Sequence, residues 1–179
     1  MNISQLLQND EYGIVNAIGK RFGLSSEQVQ KAMSWLVPAL TGAMKRKATD
    51  PSDVDSIFQA LRTGDHEKYI DDQNYLGRPE TAAEGNAILS HIFGSKEVSR
   101  NVAERTSQET GVSSSIIEQI LPYAASALMG MLSKKVAPKS TEDPGPDARN
   151  NLLSFLDSDR DGSIIDDMLG HAFNHFVRG

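Results

Sequence analysis

Apolar residues in this chain recur at helical spacing along most of its length. Ile14, Val15, Ile18 and Phe22 share one face of a helix, and Val29, Met33, Leu36, Val37, Leu40 and Met44 continue the pattern for several turns past Gly23. Asp50-Pro51 is the N-cap and first-turn signature of a third helix, with Val54, Ile57, Phe58 and Leu61 on one side and a stop at Gly64. The stretch from Asp65 to Pro79 is the least regular. Thr81-Ala82-Ala83-Glu84 reads as a capping box opening a helix that carries Ile88, Leu89, Ile92 and Phe93 and ends at Gly94. Ser95 then caps a helix with Val98 and Val102, and Ile116, Ile117, Ile120, Leu121, Ala124, Leu128, Met131 and Leu132 line a second long helix. No stretch alternates as a strand does.

One corner is written twice. The run from Ile14 to Ser26 returns from Val102 to Ser114, so that Gly23 becomes Gly111 at an offset of 88 residues. In each copy a glycine closes one helix and a Ser-Ser pair opens the next. Downstream, Leu40 and Gly42 match Leu128 and Gly130. Pro38 and Pro122, one inside each long helix, stand at non-equivalent positions, so the two halves should superpose only loosely. The expected fold is all-α, a multihelical array built from two loosely duplicated helical hairpins (residues 12–47 and 96–135) with a short C-terminal helical pair. Leu36, Leu40, Leu121 and Leu128 should be buried.

Composition changes after Ala137. Three prolines between Pro138 and Pro146 and no apolar anchor mark a linker, giving a domain over 1–136, a linker over 137–147 and a C-terminal segment over 148–179. Leu152, Leu153, Phe155 and Leu156 belong to a short helix there, and Ile164, Ile165, Met168, Leu169, Ala172, Phe173 and Phe176 to a final one. Two such helices make no core of their own, so the segment is expected to dock on the domain or on a partner.

Gly85-Asn86-Ala87-Ile88-Leu89-Ser90-His91-Ile92-Phe93-Gly94, then Thr110-Gly111-Val112-Ser113, Ile120-Leu121-Pro122 and Leu128-Met129-Gly130-Met131-Leu132 together resemble the signature of the YidB-like bacterial domain-of-unknown-function family. The resemblance covers roughly residues 10–136. It implies an all-helical protein of the bacterial cytoplasm with no assigned chemistry, and supplies no catalytic residue.

Composition narrows the chemistry. The absence of cysteine removes thiol nucleophiles, thiolate zinc sites and disulfides together. A net charge of −6 disfavours nucleic acid as a partner. The Gly23 corner has helix-turn-helix character, but Ser25-Ser26-Glu27-Gln28 offers little to base edges or phosphates. The N-terminus has no basic run before a long apolar core, and the apolar stretch from Ile120 to Leu132 is shorter than a bilayer span. No Ser/His/Asp triad, glycine-rich phosphate loop or paired catalytic carboxylates identifies an enzyme.

The constellation with chemical content is Asp157-Ser158-Asp159-Arg160-Asp161-Gly162-Ser163. Calcium loops take oxygen ligands at positions 1, 3 and 5, a glycine at 6 and a carbonyl at 7. Asp157, Asp159, Asp161 and Ser163 meet that pattern, with Asp166 as closing acid, although Met168 stands where an EF-hand has its bidentate glutamate. The competing account is a capped acidic turn, with Asp166 and Asp167 at the positive end of a helix. His171 and His175, one turn apart with Asp167 one turn earlier, are too few for zinc and suit a helix C-terminus. His66 stands alone, and His91 is expected at the edge of the core, half-buried. The sequence therefore points to a non-enzymatic helical interaction or scaffold protein with an unknown protein partner, with a calcium-responsive binding module as the alternative.

Overall fold

The computed structural model describes residues 3–136 and 146–157. Among these residues there are ten helices and no strand: α1 (Ile3–Gln8), α2 (Ile14–Phe22), α3 (Ser26–Lys47), α4 (Pro51–Thr63), α5 (Lys68–Asp71), α6 (Gln73–Leu76), α7 (Pro79–Phe93), α8 (Lys96–Thr110), α9 (Ser114–Val136) and α10 (Pro146–Asp157).

The centre is α9, in which every residue from 120 to 133 is buried. A helix apolar on all sides must be surrounded. Here α7 and α8 pack on it most extensively, with α3, α5, α2, α10 and α4 completing the shell. By length and composition α9 is long and apolar enough to cross a membrane, and 78% of its apolar window lies buried inside the protein, as in a core helix. Leu36, Leu40, Leu121 and Leu128 are all in the core, together with Phe58 and Tyr69.

Both corners have the same local chemistry. Gly23 and Gly111 adopt left-handed φ angles of 68° and 76°, and their N–H groups donate to Gly19 O and Ser107 O. Ser25 caps α3 reciprocally with Gln28, and Ser113 Oγ accepts from Ile116 N at 3.4 Å. Phe22 meets Tyr123 edge to face at 5.3 Å between ring centroids, tying α2 to α9. Neither proline breaks its helix. Pro38 and Pro122 each deprive the carbonyl four residues earlier of a donor, and Ser34 and Glu118 both lie where water reaches them.

The start of α7 differs from the sequence expectation. The helix begins at Pro79, with Arg78 as its N-cap, so Thr81 and Glu84 do not form a capping box. Thr81 Oγ1 donates instead to Tyr75 O at 2.9 Å, and Glu84 faces Tyr69 and Lys68. Proline at the first helical position removes an N–H that needs no intrahelical partner, which fixes the start three residues earlier. The irregular stretch before it holds α5 and α6, and Tyr69, Ile70 and Leu76 there are buried. The helix α1, which periodicity did not single out, buries Ile3, Leu6 and Leu7.

Within the C-terminal segment, α10 docks on α3 and α9. It starts at Pro146, two residues ahead of the expected boundary at 148. Leu152 is fully buried and Leu156 nearly so, while Arg149 pairs with Asp55 at 2.8 Å and Lys45 with Asp157.

Candidate functional site

Of the acidic-loop residues, Asp157 ends α10 and its carboxylate is engaged by Lys45 of α3. Asp159, Asp161, Ser163 and Asp166 lie outside the described residues, as do Asp167, His171 and His175. Among the described residues no three His, Asp or Glu side chains converge as a metal site.

The buried titratable groups cluster where α5 meets α7 and α9. Tyr69, fully buried, donates its hydroxyl to Glu84 Oε2, and Lys68 Nζ lies 3.3 Å from Glu84 Oε1. Lys68 and Arg78 both stand over the Tyr75 ring, at 5.1 and 4.5 Å from its centroid. His66 is buried against Tyr69, with Nε2 3.2 Å from Ala60 O and no partner at Nδ1. A nitrogen facing a carbonyl carries the proton, so Nε2 is the donor to Ala60 O. Burial holds its pKa below the ordinary histidine value, against the opposing effects of Ala60 O and Glu84. This cluster fastens α5 to α4 and α7. The Tyr69 hydroxyl and the Lys68 ammonium face the Glu84 carboxylate, while His66 Nδ1 faces no partner.

The hollow with binding character lies between α4 and α7. It encloses about 400 Å³, with α3 closing one end and Met129 of α9 at the bottom. Its apolar surface comes from Met44, Ile57, Ala60, Ile88, Ile92 and Met129, and its polar rim from Lys47, Asp53, Ser56, Gln59, Thr63 and His91. The wall from α4 carries residues 53, 56, 57, 59, 60 and 63, one side of the helix over eleven residues that rise about 15 Å. Ile57 and Ile88 are half-buried although they join the core cluster, so the groove leaves apolar surface facing outward. His91, expected half-buried, is exposed at this rim, because Ile88 and Ile92 take the inward positions of their turn.

Two further hollows are more polar. One of about 620 Å³ lies by Arg21, Tyr123 and the start of α9, and one of about 230 Å³ by Ser95, Lys96 and Ser99 at the start of α8. Sequence periodicity marked Ile57, Ile88 and Ile92 as core positions. That all three border an open groove depends on how α4 and α7 are placed against α9, which no local pattern encodes.

Neither the curated proteins nor the solved structures compared with the chain match it. A family profile described as a bacterial protein of unknown function, DUF937, matches residues 4–135, from α1 almost to the end of α9. The groove and its four walls thus lie inside the matched span, α10 lies beyond it, and the chain belongs to this family of bacterial proteins of unknown function.

Proposed function

We propose that the protein is a non-enzymatic helical interaction module of the bacterial cytoplasm, of the YidB-like type within its family, whose groove between α4 and α7 receives an amphipathic helix. The observation that carries this reading is the elongated wall of α4. A stripe about 15 Å long, floored by isoleucine and methionine and rimmed by Lys47, Asp53 and Gln59, fits apolar side chains spaced i, i+3, i+4 and i+7 on a partner helix. Methionines at positions 44 and 129 suit such a surface, since their unbranched side chains repack around different occupants. Tyr69, Lys68 and Glu84 are engaged with one another in fastening α5 to α7, which supports a binding role over a catalytic one.

The two hairpins, α2–α3 and α8–α9, are in this reading the halves of an internal repeat. The offset of 88 residues, the left-handed glycines and the matched serine caps support it. The repeat supplies the scaffold, and α4 and α7, the parts between its halves, supply the groove.

The test is a binding titration. The chain has no cysteine, so Gln59→Cys, at the exposed rim, accepts a single environment-sensitive fluorophore. Helical peptides with an i, i+3, i+4, i+7 apolar face should shift its emission saturably, and peptides of equal composition in scrambled order should not. Equal responses to both sets would refute the proposal.

A further inference from the structure

We infer that the face of α3 and α9 beneath α10 is a second helix-docking surface, filled by α10 until an amphipathic helix of another protein, with leucines at i and i+4, replaces it. The surface is separate from the groove, whose lining includes neither Lys45 nor Asp55, the charges at its two ends. The helix seated there shows what it takes. Leu152 and Leu156, one turn apart, are buried, and Leu153 and Phe155 are half-buried beside them. Arg149, three residues before Leu152, meets Asp55 of α4, and Asp157, directly after Leu156, meets Lys45 of α3. Base first and acid last, these pairs set the direction in which a helix lies on the surface.

Three observations make α10 a replaceable occupant. The seat lies inside the span matched by the family profile, residues 4–135, and the helix that covers it lies beyond that span. Its hold is narrow. A helix of 12 residues is marginal alone, and among those of α10 only the two leucines are buried, while both ion pairs stay partly exposed. Its fit is also incomplete. Arg149 Nε is buried with no acceptor among the described residues, and a buried donor left unpaired weakens the contact that encloses it. The α10 of a second copy would bring the same defect and so has no advantage over the helix already tethered. A foreign helix that keeps a charge for Asp55 and lacks that donor does.

Binding of a labelled peptide of residues 146–157 to three full-length chains tests this. They are the natural chain, a released chain with Leu152→Asp and Leu156→Asp, and a closed chain. In the closed chain, Asp55→Cys and Arg149→Cys are joined by a short bis-maleimide, the protein having no other cysteine. The released chain should keep amide protection in α7–α9. It should bind the peptide with a dissociation constant below about 0.1 mM, since α10 stays docked at about millimolar effective concentration. The natural chain should bind at least about ten-fold more weakly, and the closed chain not at all. An Arg149→Lys peptide should bind the released chain about three-fold or more tighter than the natural sequence does.

Loss of protection in α7–α9 of the released chain would overturn the inference, by making α10 part of the domain. Equal binding to all three chains would overturn it too, placing the peptide in the groove or elsewhere. So would no binding to the released chain, or an Arg149→Lys peptide no tighter than the natural one, which removes the advantage a foreign helix needs. Dimers of the natural chain in light scattering that are absent from the closed chain would overturn it in favour of a second copy.

Discussion

The Cα of Gly85 lies so close to Pro122 that a methyl group added there would stand 2.0 Å from the proline carbonyl oxygen. Backbone meets backbone at this crossing of α7 over α9, so no flexible side chain is present to yield. Gly85→Ala would gain about 1 kcal/mol of helix propensity. Forcing the two helices apart costs about 3 kcal/mol or more. The net loss, about 2 kcal/mol, should lower the melting temperature by roughly 4–8 °C in a chain of this size. Calorimetry of the variant checks this.

Tyr69→Phe keeps the buried ring and deletes its hydrogen bond to the Glu84 carboxylate. The expected loss is about 1.5–3 kcal/mol, as for hydrogen bonds to charged groups. Urea denaturation of Tyr69→Phe beside Glu84→Gln should show both destabilised. The double variant should lose clearly less than the sum, since the two share one interaction.

His66 makes stability depend on pH. Its folded pKa lies below the ordinary value of 6.5, mainly through burial, so the unfolded chain takes up the proton first. Its contribution is therefore complete above about pH 6.5 and lost as pH falls from there toward the folded pKa. Glu84, Asp65 and Lys68 are the charges that face it, the two acids opposing the shift and the lysine reinforcing it. Denaturation midpoints at pH 7.5 and 5.5 should differ more for the natural chain than for His66→Gln, which retains a donor for Ala60 O and does not titrate.

Much of the helical framework was legible because each boundary has a local cause. Asp50-Pro51, Gly94, Ser95 and Gly111 mark ends that the structure reproduces, and four leucines named from periodicity are buried. Glu84 misled because Pro79 starts the helix earlier and the Glu84 carboxylate turns to Tyr69 of α5. Four-residue helices such as α5 and α6 are too short to show a period, so Tyr69 at the centre of the buried cluster went unread. The groove was illegible for a different reason. Whether Ile57 and Ile88 meet protein or an opening is decided by helix placement, not by their own spacing.

The docking of α10 should depend on Leu152 far more than on its ion pairs. Lys45 and Asp157 are about half exposed or more, and such pairs contribute at most about 1 kcal/mol. Leu152 has no exposed surface, and Leu152→Ala removes about 2–5 kcal/mol from that contact. Amide exchange across 146–157 should accelerate strongly in Leu152→Ala and little in Lys45→Ala, while α7–α9 stay protected in both.

The central claim is that the α4–α7 groove is a helix-binding surface, and methyl NMR with labelled isoleucine and methionine tests it most directly. On titration with an amphipathic helical peptide, the methyls of Met44, Ile57, Ile88, Ile92 and Met129 should shift together and saturate together, while those of Ile14 and Ile18 on α2 stay in place. Unmoved groove methyls at saturating peptide, or shifts confined to other parts of the surface, would contradict the account.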